Sequence, residues 1–114
     1  MNKYQKELDK LFKKNKWSYW PPLAMLARLL EESGELARLF NHLYGPKPKK
    51  ASESKQDIEE EIGDILYTLI CIANSQKVNL DKAIERSLSK AAQRDKNRFK
   101  YWAHSSSGRA PHLQ

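Results

Sequence analysis

Apolar residues recur along this chain at helical spacing and nowhere alternate in the manner of a strand. Tyr4, Leu8, Leu11 and Phe12 mark a first helix over residues 3–15, with lysines filling its other face. Trp17-Ser18-Tyr19-Trp20 then runs into Pro21-Pro22. Proline is tolerated in a first helical turn and not later, so a second helix begins there. Leu23, Leu26, Leu29, Leu30, Leu36, Phe40 and Leu43 carry it to Tyr44-Gly45-Pro46. Residues 45–56, polar and interrupted by proline, read as a mobile loop. A third helix spans about 57–75, and Asn79 is placed to cap a fourth that bears Leu80, Ile84, Leu88, Ala91 and Phe99. The small polar residues of 102–114 read as a disordered tail. The pattern predicts an all-α fold, one four-helix domain over residues 1–101.

The third helix departs from simple amphipathicity. Leu66, Tyr67, Leu69, Ile70, Cys71 and Ile72 point in nearly every direction round its axis, and such a helix is buried on more than one side. Four short helices cannot easily surround it, so a second chain is expected to cover part of it in a larger dimeric bundle. A length of 114 residues suits one domain. The single cysteine, Cys71, excludes a disulfide framework and a paired-cysteine zinc site, and it reads as an inert core thiol. The longest apolar-rich stretch, Ile65 to Ala73, is about half a membrane span. Residues 1–16 are charged throughout and contain no apolar leader core. A cytoplasmic protein with no membrane partner is expected.

Charge alters the picture in two steps. A formal charge of +7, from 21 Lys and Arg against 14 Asp and Glu, suggests an anionic partner. Yet half of the acids fall in two short segments, Glu31, Glu32 and Glu35, then Glu59, Glu60, Glu61 and Asp64. A basic chain with two concentrated acidic nodes is not simply a polyanion binder.

The two nodes repeat one pattern: Glu31-Glu32-Ser33-Gly34-Glu35-Leu36 and Glu60-Glu61-Ile62-Gly63-Asp64-Ile65. Positions i and i+3 share a helix face, so Glu32 pairs with Glu35 and Glu61 with Asp64. With roughly 100° per residue and Leu29 at zero, Leu36 and Phe40 lie within about 20°, and Glu32 lies about 60° to one side. Glu32 therefore sits inside the apolar stripe, with Glu35 at its edge. Glu61 and Asp64 take the same two angles beside Ile65 and Ile72. The glycine of each copy lets another backbone or a ligand come close. One such pair would read as a solvated face; two in matched phase, encroaching on apolar stripes, do not. If the helices pack antiparallel, four carboxylates converge. Unit charges about 5 Å apart repel by roughly 3 kcal/mol at an effective dielectric near 20, which a small domain cannot spare several times over. A divalent cation is the simplest neutraliser.

Di-iron bundles carry Glu-x-x-His on their helices. Neither copy has histidine at that offset, and only His42 lies within the predicted bundle. An all-oxygen donor set favours Mg²⁺, with Mn²⁺ an alternative. Magnesium held by few carboxylates completes its shell with waters and substrate phosphates, so a phosphorylated substrate is expected. Lys90, Arg94 and Arg98, one ridge along the fourth helix, are candidate phosphate clamps. Asp95 either pairs with Arg98 or orients that site.

These residues resemble the MazG-like nucleotide pyrophosphohydrolases of the all-α NTP pyrophosphatase group. The family pattern Glu-x-x-Glu, a short insertion, then Glu-x-x-Asp is met by Glu32-Ser33-Gly34-Glu35 and Glu61-Ile62-Gly63-Asp64. The likeness covers about Trp20 to Phe99, including the Arg94-Asp95-Lys96-Asn97-Arg98 run. It implies hydrolysis of a nucleoside triphosphate to monophosphate and pyrophosphate. Glu32, Glu35, Glu61 and Asp64 would be the magnesium ligands, in a homodimer or dimer of dimers. One of the four, or neighbouring Glu31, would orient water as general base. The faces of Trp17 and Trp20 could stack on a base, or else pin the first helix to the core. The competing reading is a basic helical dimer that binds nucleic acid or nucleotides without catalysis. Acids on apolar seams argue against a nucleic-acid partner, since such a binder gains nothing from them.

Overall fold

The structure, a computed structural model, describes residues 1–46 and 55–103, with side chains for 1–46 and 57–95. It contains α1 (Asn2–Lys14), α2 (Pro22–Tyr44), α3 (Lys55–Ser75) and α4 (Leu80–Ala103), and no strand among the described residues. Most of the expected mobile loop and of the expected tail lies outside the described residues, as do the side chains of Arg98 and Phe99. The described residues fall into two compact units, Met1–Asn79 and α4.

Local chemistry sets the helix ends. α1 stops where Asn15 folds its side-chain Nδ2 onto the Leu11 carbonyl at 2.9 Å, and the Trp17 N–H reaches back to the Phe12 carbonyl at 2.9 Å. Lys16 takes the left-handed conformation, φ 56°, that this closure needs and that glycine usually fills. α3 ends the same way, with Val78 N–H on the Ala73 carbonyl at 2.8 Å and Lys77 at φ 60°. Pro21 precedes α2 and Pro22 occupies its first turn, as the sequence predicts. Gly45 closes α2 in an extended conformation, φ −72°. Its need for glycine is spatial, since a Cβ there would collide with the Asn41 carbonyl oxygen.

Within the first unit α3 is central, packing along α2 and more briefly against α1. The inward line of α2 is Met25, Leu29, Glu32, Leu36 and Leu39, at steps of four, three, four and three. Met25, Glu32 and Leu39 are its buried members. Those buried members centre about 60° from the stripe expected around Leu29. Glu32 lies on its axis rather than beside it, while Phe40 turns out to meet Tyr44 at 5.7 Å. Ile70 and Ala73 of α3 and Leu8 of α1 complete the buried apolar set of this unit. No described helix is long and apolar enough to cross a membrane.

A polar cluster ties α1 to the end of α3. Gln5 Nε2 donates to Asn74 Oδ1 at 3.1 Å and to the Val78 carbonyl at 2.8 Å. Asn74 Nδ2 donates to the Gln5 carbonyl at 3.0 Å and to the Tyr19 hydroxyl at 2.9 Å. That hydroxyl in turn donates to Asp9 Oδ1 at 3.2 Å, and Lys13 pairs with Asp9 at 3.0 Å. Burial pushes the Tyr19 phenol above its ordinary pKa, so it stays a donor. Asn74 thus joins α1, α3 and the segment between α1 and α2. Asn74→Ala leaves the Gln5 carbonyl and the Tyr19 oxygen without that donor. It is expected to lower the unfolding free energy in urea by about 1–3 kcal/mol; Tyr19→Phe, which spares the Gln5 contacts, should cost about 1 kcal/mol.

Candidate active site

Glu32 reaches the α2–α3 seam because it occupies an inward position between Met25 and Leu39. Glu61 and Asp64, one turn apart on α3, meet it there. One carboxylate oxygen from each of the three lies within 4.8 Å of the others. Such crowding is costly for like charges, and the environment registers it. Burial, then the charges of Asp64, Glu32, Glu35 and Glu60, raise the Glu61 pKa above its ordinary value. Glu61 Oε2 is also buried with no hydrogen-bond partner, the arrangement proteins normally avoid. Glu32, buried itself, is held by Arg28, whose Nε donates to Oε1 at 2.9 Å. Thr68 steadies the neighbouring turn of α3, its hydroxyl donating to the Asp64 carbonyl at 2.9 Å.

The fourth motif acid stands apart. Glu35 is exposed, and its Oε2 lies 3.4 Å from Arg38 Nε. Arg38 also meets His42 Nδ1 at 3.2 Å, so the histidine is a partner for that arginine. Glu31 is exposed beside the cluster, 3.9 Å from Arg28 Nη1. A Cβ built on Gly34 or Gly63 would touch nothing within 4 Å. Among the described residues of this chain, no close approach requires either glycine. All-oxygen donors, convergence and an orphaned carboxylate oxygen together suit a hard divalent cation, whose ligand oxygens sit about 3–4 Å apart.

Next to the acids opens a cleft of about 660 Å³. Glu32 and Asp64 stand on its lining with Met25, Arg28, Thr68 and Cys71, and Phe12, Trp17, Tyr19 and Trp20 supply an aromatic side. Met25 and Cys71 share this cleft while Glu32 and Asp64 meet in the cluster, so α2 and α3 run antiparallel. Phe12 stacks on Tyr19 at 4.4 Å and meets Trp17 edge-on at 5.6 Å. Tyr19 is therefore the aromatic that pins α1, while Trp17 and Trp20 stay 54% and 58% exposed. Cys71 is half-buried and faces the cleft, not the core. Burial raises its thiol pKa, partly offset by a hydrogen bond with Tyr67, which keeps it protonated and unreactive.

On α4, Lys90 is exposed. Arg94 is bound through Nε at 3.0 Å and Nη2 at 2.8 Å by the buried Asp95. Arg94 is one described partner of Asp95; the Arg98 side chain, which the sequence suggested for Asp95, lies outside the described residues. The sequence reading passed over Arg28 and the Asn74 cluster. Arg28 was visible as the i−4 neighbour of an inward glutamate, whereas nothing local marked Asn74.

Residues 21–99 match the MazG nucleotide pyrophosphohydrolase domain. The fold and this span place the chain in the MazG nucleotide pyrophosphohydrolase family, a class of all-α hydrolases. It is 50% identical over 99 residues to the uncharacterized protein YpjD of Bacillus subtilis, covering 87% of this chain and 89% of that one. The crystal structure of YpjD superposes with a TM-score of 0.70 over 83% of this chain and 95% of that chain, at 49% identity. A Bacillus-conserved MazG protein, described as a nucleotide pyrophosphohydrolase, gives a TM-score of 0.66 at 44% identity, over 77% and 84% of the two chains. Bovine dCTP pyrophosphatase 1 is 33% identical over 92 residues, 78% of this chain and 51% of that protein.

The raised pKa of Glu61 has a thermodynamic sign. Its protonated form is favoured by folding, so stability present below the ordinary value of 4.5 is lost as pH rises through the higher folded-state pKa. Glu61→Gln is expected to raise the urea midpoint of the metal-free protein at neutral pH. The gap to wild type should close on acidification below that ordinary value. An unchanged or lowered midpoint at neutral pH would show that the crowding costs nothing.

Proposed function

We propose that the protein hydrolyses nucleoside or deoxynucleoside triphosphates between the α- and β-phosphates, yielding the monophosphate and pyrophosphate. The observation that carries this reading is the buried, unpartnered Glu61 oxygen among the Glu32, Glu61 and Asp64 carboxylates. Glu32, Glu61 and Asp64, with Glu35 completing the set, would hold Mg²⁺, or Mn²⁺ in its place. Such a cation, when bound, neutralises phosphate charge and makes a water more acidic.

The remaining work falls to the chain's own groups. Trp17 and Trp20 offer exposed side chains in the cleft for the base, and the phosphate chain would then extend toward Glu32 and Asp64 on the same lining. A carboxylate of the cluster, or exposed Glu31, accepts the proton of the attacking water. On α4, Lys90, Arg94 and Arg98 are the proposed phosphate cations; Asp95 occupies two donors of Arg94 and fixes the plane in which the rest of its fork can act. The bovine relative's name makes dCTP a reasonable first substrate, drawn from a cytoplasmic nucleotide pool. A homodimer or dimer of dimers is supported by apolar side chains left uncovered on α2 and α3, Leu23 at 79%, Leu30 at 67% and Ile62 at 43% exposed.

Pyrophosphate release measured with Mg²⁺ over a panel of standard and modified nucleotides tests the reaction. Turnover of at least one is expected. Glu32→Gln and Asp64→Asn should lower kcat at least about 100-fold with the helical circular dichroism signal intact. No turnover with any nucleotide under any divalent cation would refute the reading. Light scattering is expected to give the mass of two or four chains, and a stable single chain would remove the oligomer from the account.

A further inference from the structure

Arg28 joins the two halves of the candidate site. It lines the aromatic cleft, and its Nε donates at 2.9 Å to Glu32 Oε1 in a pair whose side chains are 50% and 10% exposed respectively. Ordinary i, i+4 pairs on helices have both ends in solvent and contribute little. Here the acid end is buried and sits in the carboxylate cluster, so its charge needs a counter-ion whenever no metal is bound. The guanidinium also has a second outlet. Its Nη1 stands 3.9 Å from exposed Glu31, beyond a hydrogen bond, and the half-exposed fork borders open cleft. Lys16 lines the cleft without an acid pair that ties it to the cluster, and Arg38 is engaged by Glu35 and His42. Within the unit formed by α1, α2 and α3, Arg28 is the described cation that touches both a cluster acid and the cleft.

We propose that Arg28 is a displaceable counter-ion. It neutralises Glu32 while the site lacks a divalent cation, and it turns to the phosphate oxygens of the nucleotide when the cation takes over that carboxylate. The inference rests on reading Glu32 as a cation ligand. Electrostatics gives it a signature that a mere helix-stabilising pair lacks. A guanidinium on Glu32 repels an incoming cation, so its removal favours metal binding. The same guanidinium attracts phosphate through charge-assisted hydrogen bonds, so its removal weakens nucleotide binding. The two effects have opposite signs.

Mn²⁺ binding followed by the loss of the free-ion electron paramagnetic resonance signal reads the first effect without turnover. Titration of the Mn²⁺-loaded protein with α,β-imido-dCTP and α,β-imido-dTTP reads the second. Arg28→Gln is expected to bind Mn²⁺ alone at least about threefold more tightly than wild type. It should bind the analogues roughly tenfold more weakly. Arg28→Lys, which keeps the charge, should bind Mn²⁺ nearly as wild type does. Glu61→Gln serves as the control for the site itself. If wild type binds Mn²⁺ and Glu61→Gln does not, but Arg28→Gln binds it no more tightly than wild type, the counter-ion role is overturned while the metal site stands. If wild type binds no Mn²⁺, or Glu61→Gln binds it equally well, the metal site falls and this proposal falls with it.

Discussion

Three carboxylates held against one another at a helix–helix seam are the constraint around which this structure is arranged. Glu32, Glu61 and Asp64 bring oxygens within 4.8 Å, and Oε2 of Glu61 is buried with no hydrogen-bond partner. Carboxylates left free to choose would turn into solvent. Glu32 cannot do so here, because it lies on the axis of the buried line of α2 between Met25 and Leu39. Packing that buries those two residues buries the glutamate with them. The hydrophobic contact between α2 and α3 thus imposes an electrostatic cost, and Arg28 offsets part of it by pairing with Glu32. What remains falls on Glu61, whose carboxyl is harder to ionise than an ordinary one. A site strained in this way has a standing affinity for positive charge.

The cleft beside the acids depends on a second, neutral set of interactions. α1 ends in a closure that forces Lys16 into a left-handed conformation and brings Trp17 against Phe12. Tyr19, stacked on Phe12, is tethered through its hydroxyl to Asn74 and Asp9. The aromatic side of the cleft is therefore held by hydrogen bonds at its base, while Trp17 and Trp20 stay accessible. Rigidity at Tyr19 and exposure at the tryptophans are what a stacking surface needs.

Much of this was legible in the sequence, for identifiable reasons. Pro21-Pro22 and Gly45 bracket α2 because each has one favoured place at a helix end, and the doubled acid motif is specific enough to identify the family. Helical phase put Glu32 in the stripe but misplaced the stripe's centre. Leu30 and Phe40 look like core residues by chemistry, yet they are exposed on this chain, since periodicity reports which residues are apolar and not which neighbour covers them. Glu35 could not be told from Glu32 by spacing alone; it lies exposed beside Arg38, one turn on. Asn74 was invisible because its partners, Gln5 and Tyr19, lie 69 and 55 positions away. Cys71 was read as core from its apolar neighbours in sequence, but it faces the cleft.

Membership in the MazG family fixes the class of chemistry. The claim on which the account stands is that one divalent cation sits among Glu32, Glu61 and Asp64. Anomalous diffraction from crystals grown with Mn²⁺ tests it most directly. The account predicts a peak about 2.1–2.2 Å from an oxygen of each of those three carboxylates, with Arg28 moved off Glu32 when a nucleotide analogue is present. Manganese bound only elsewhere, with Glu61 still unpartnered, would contradict it.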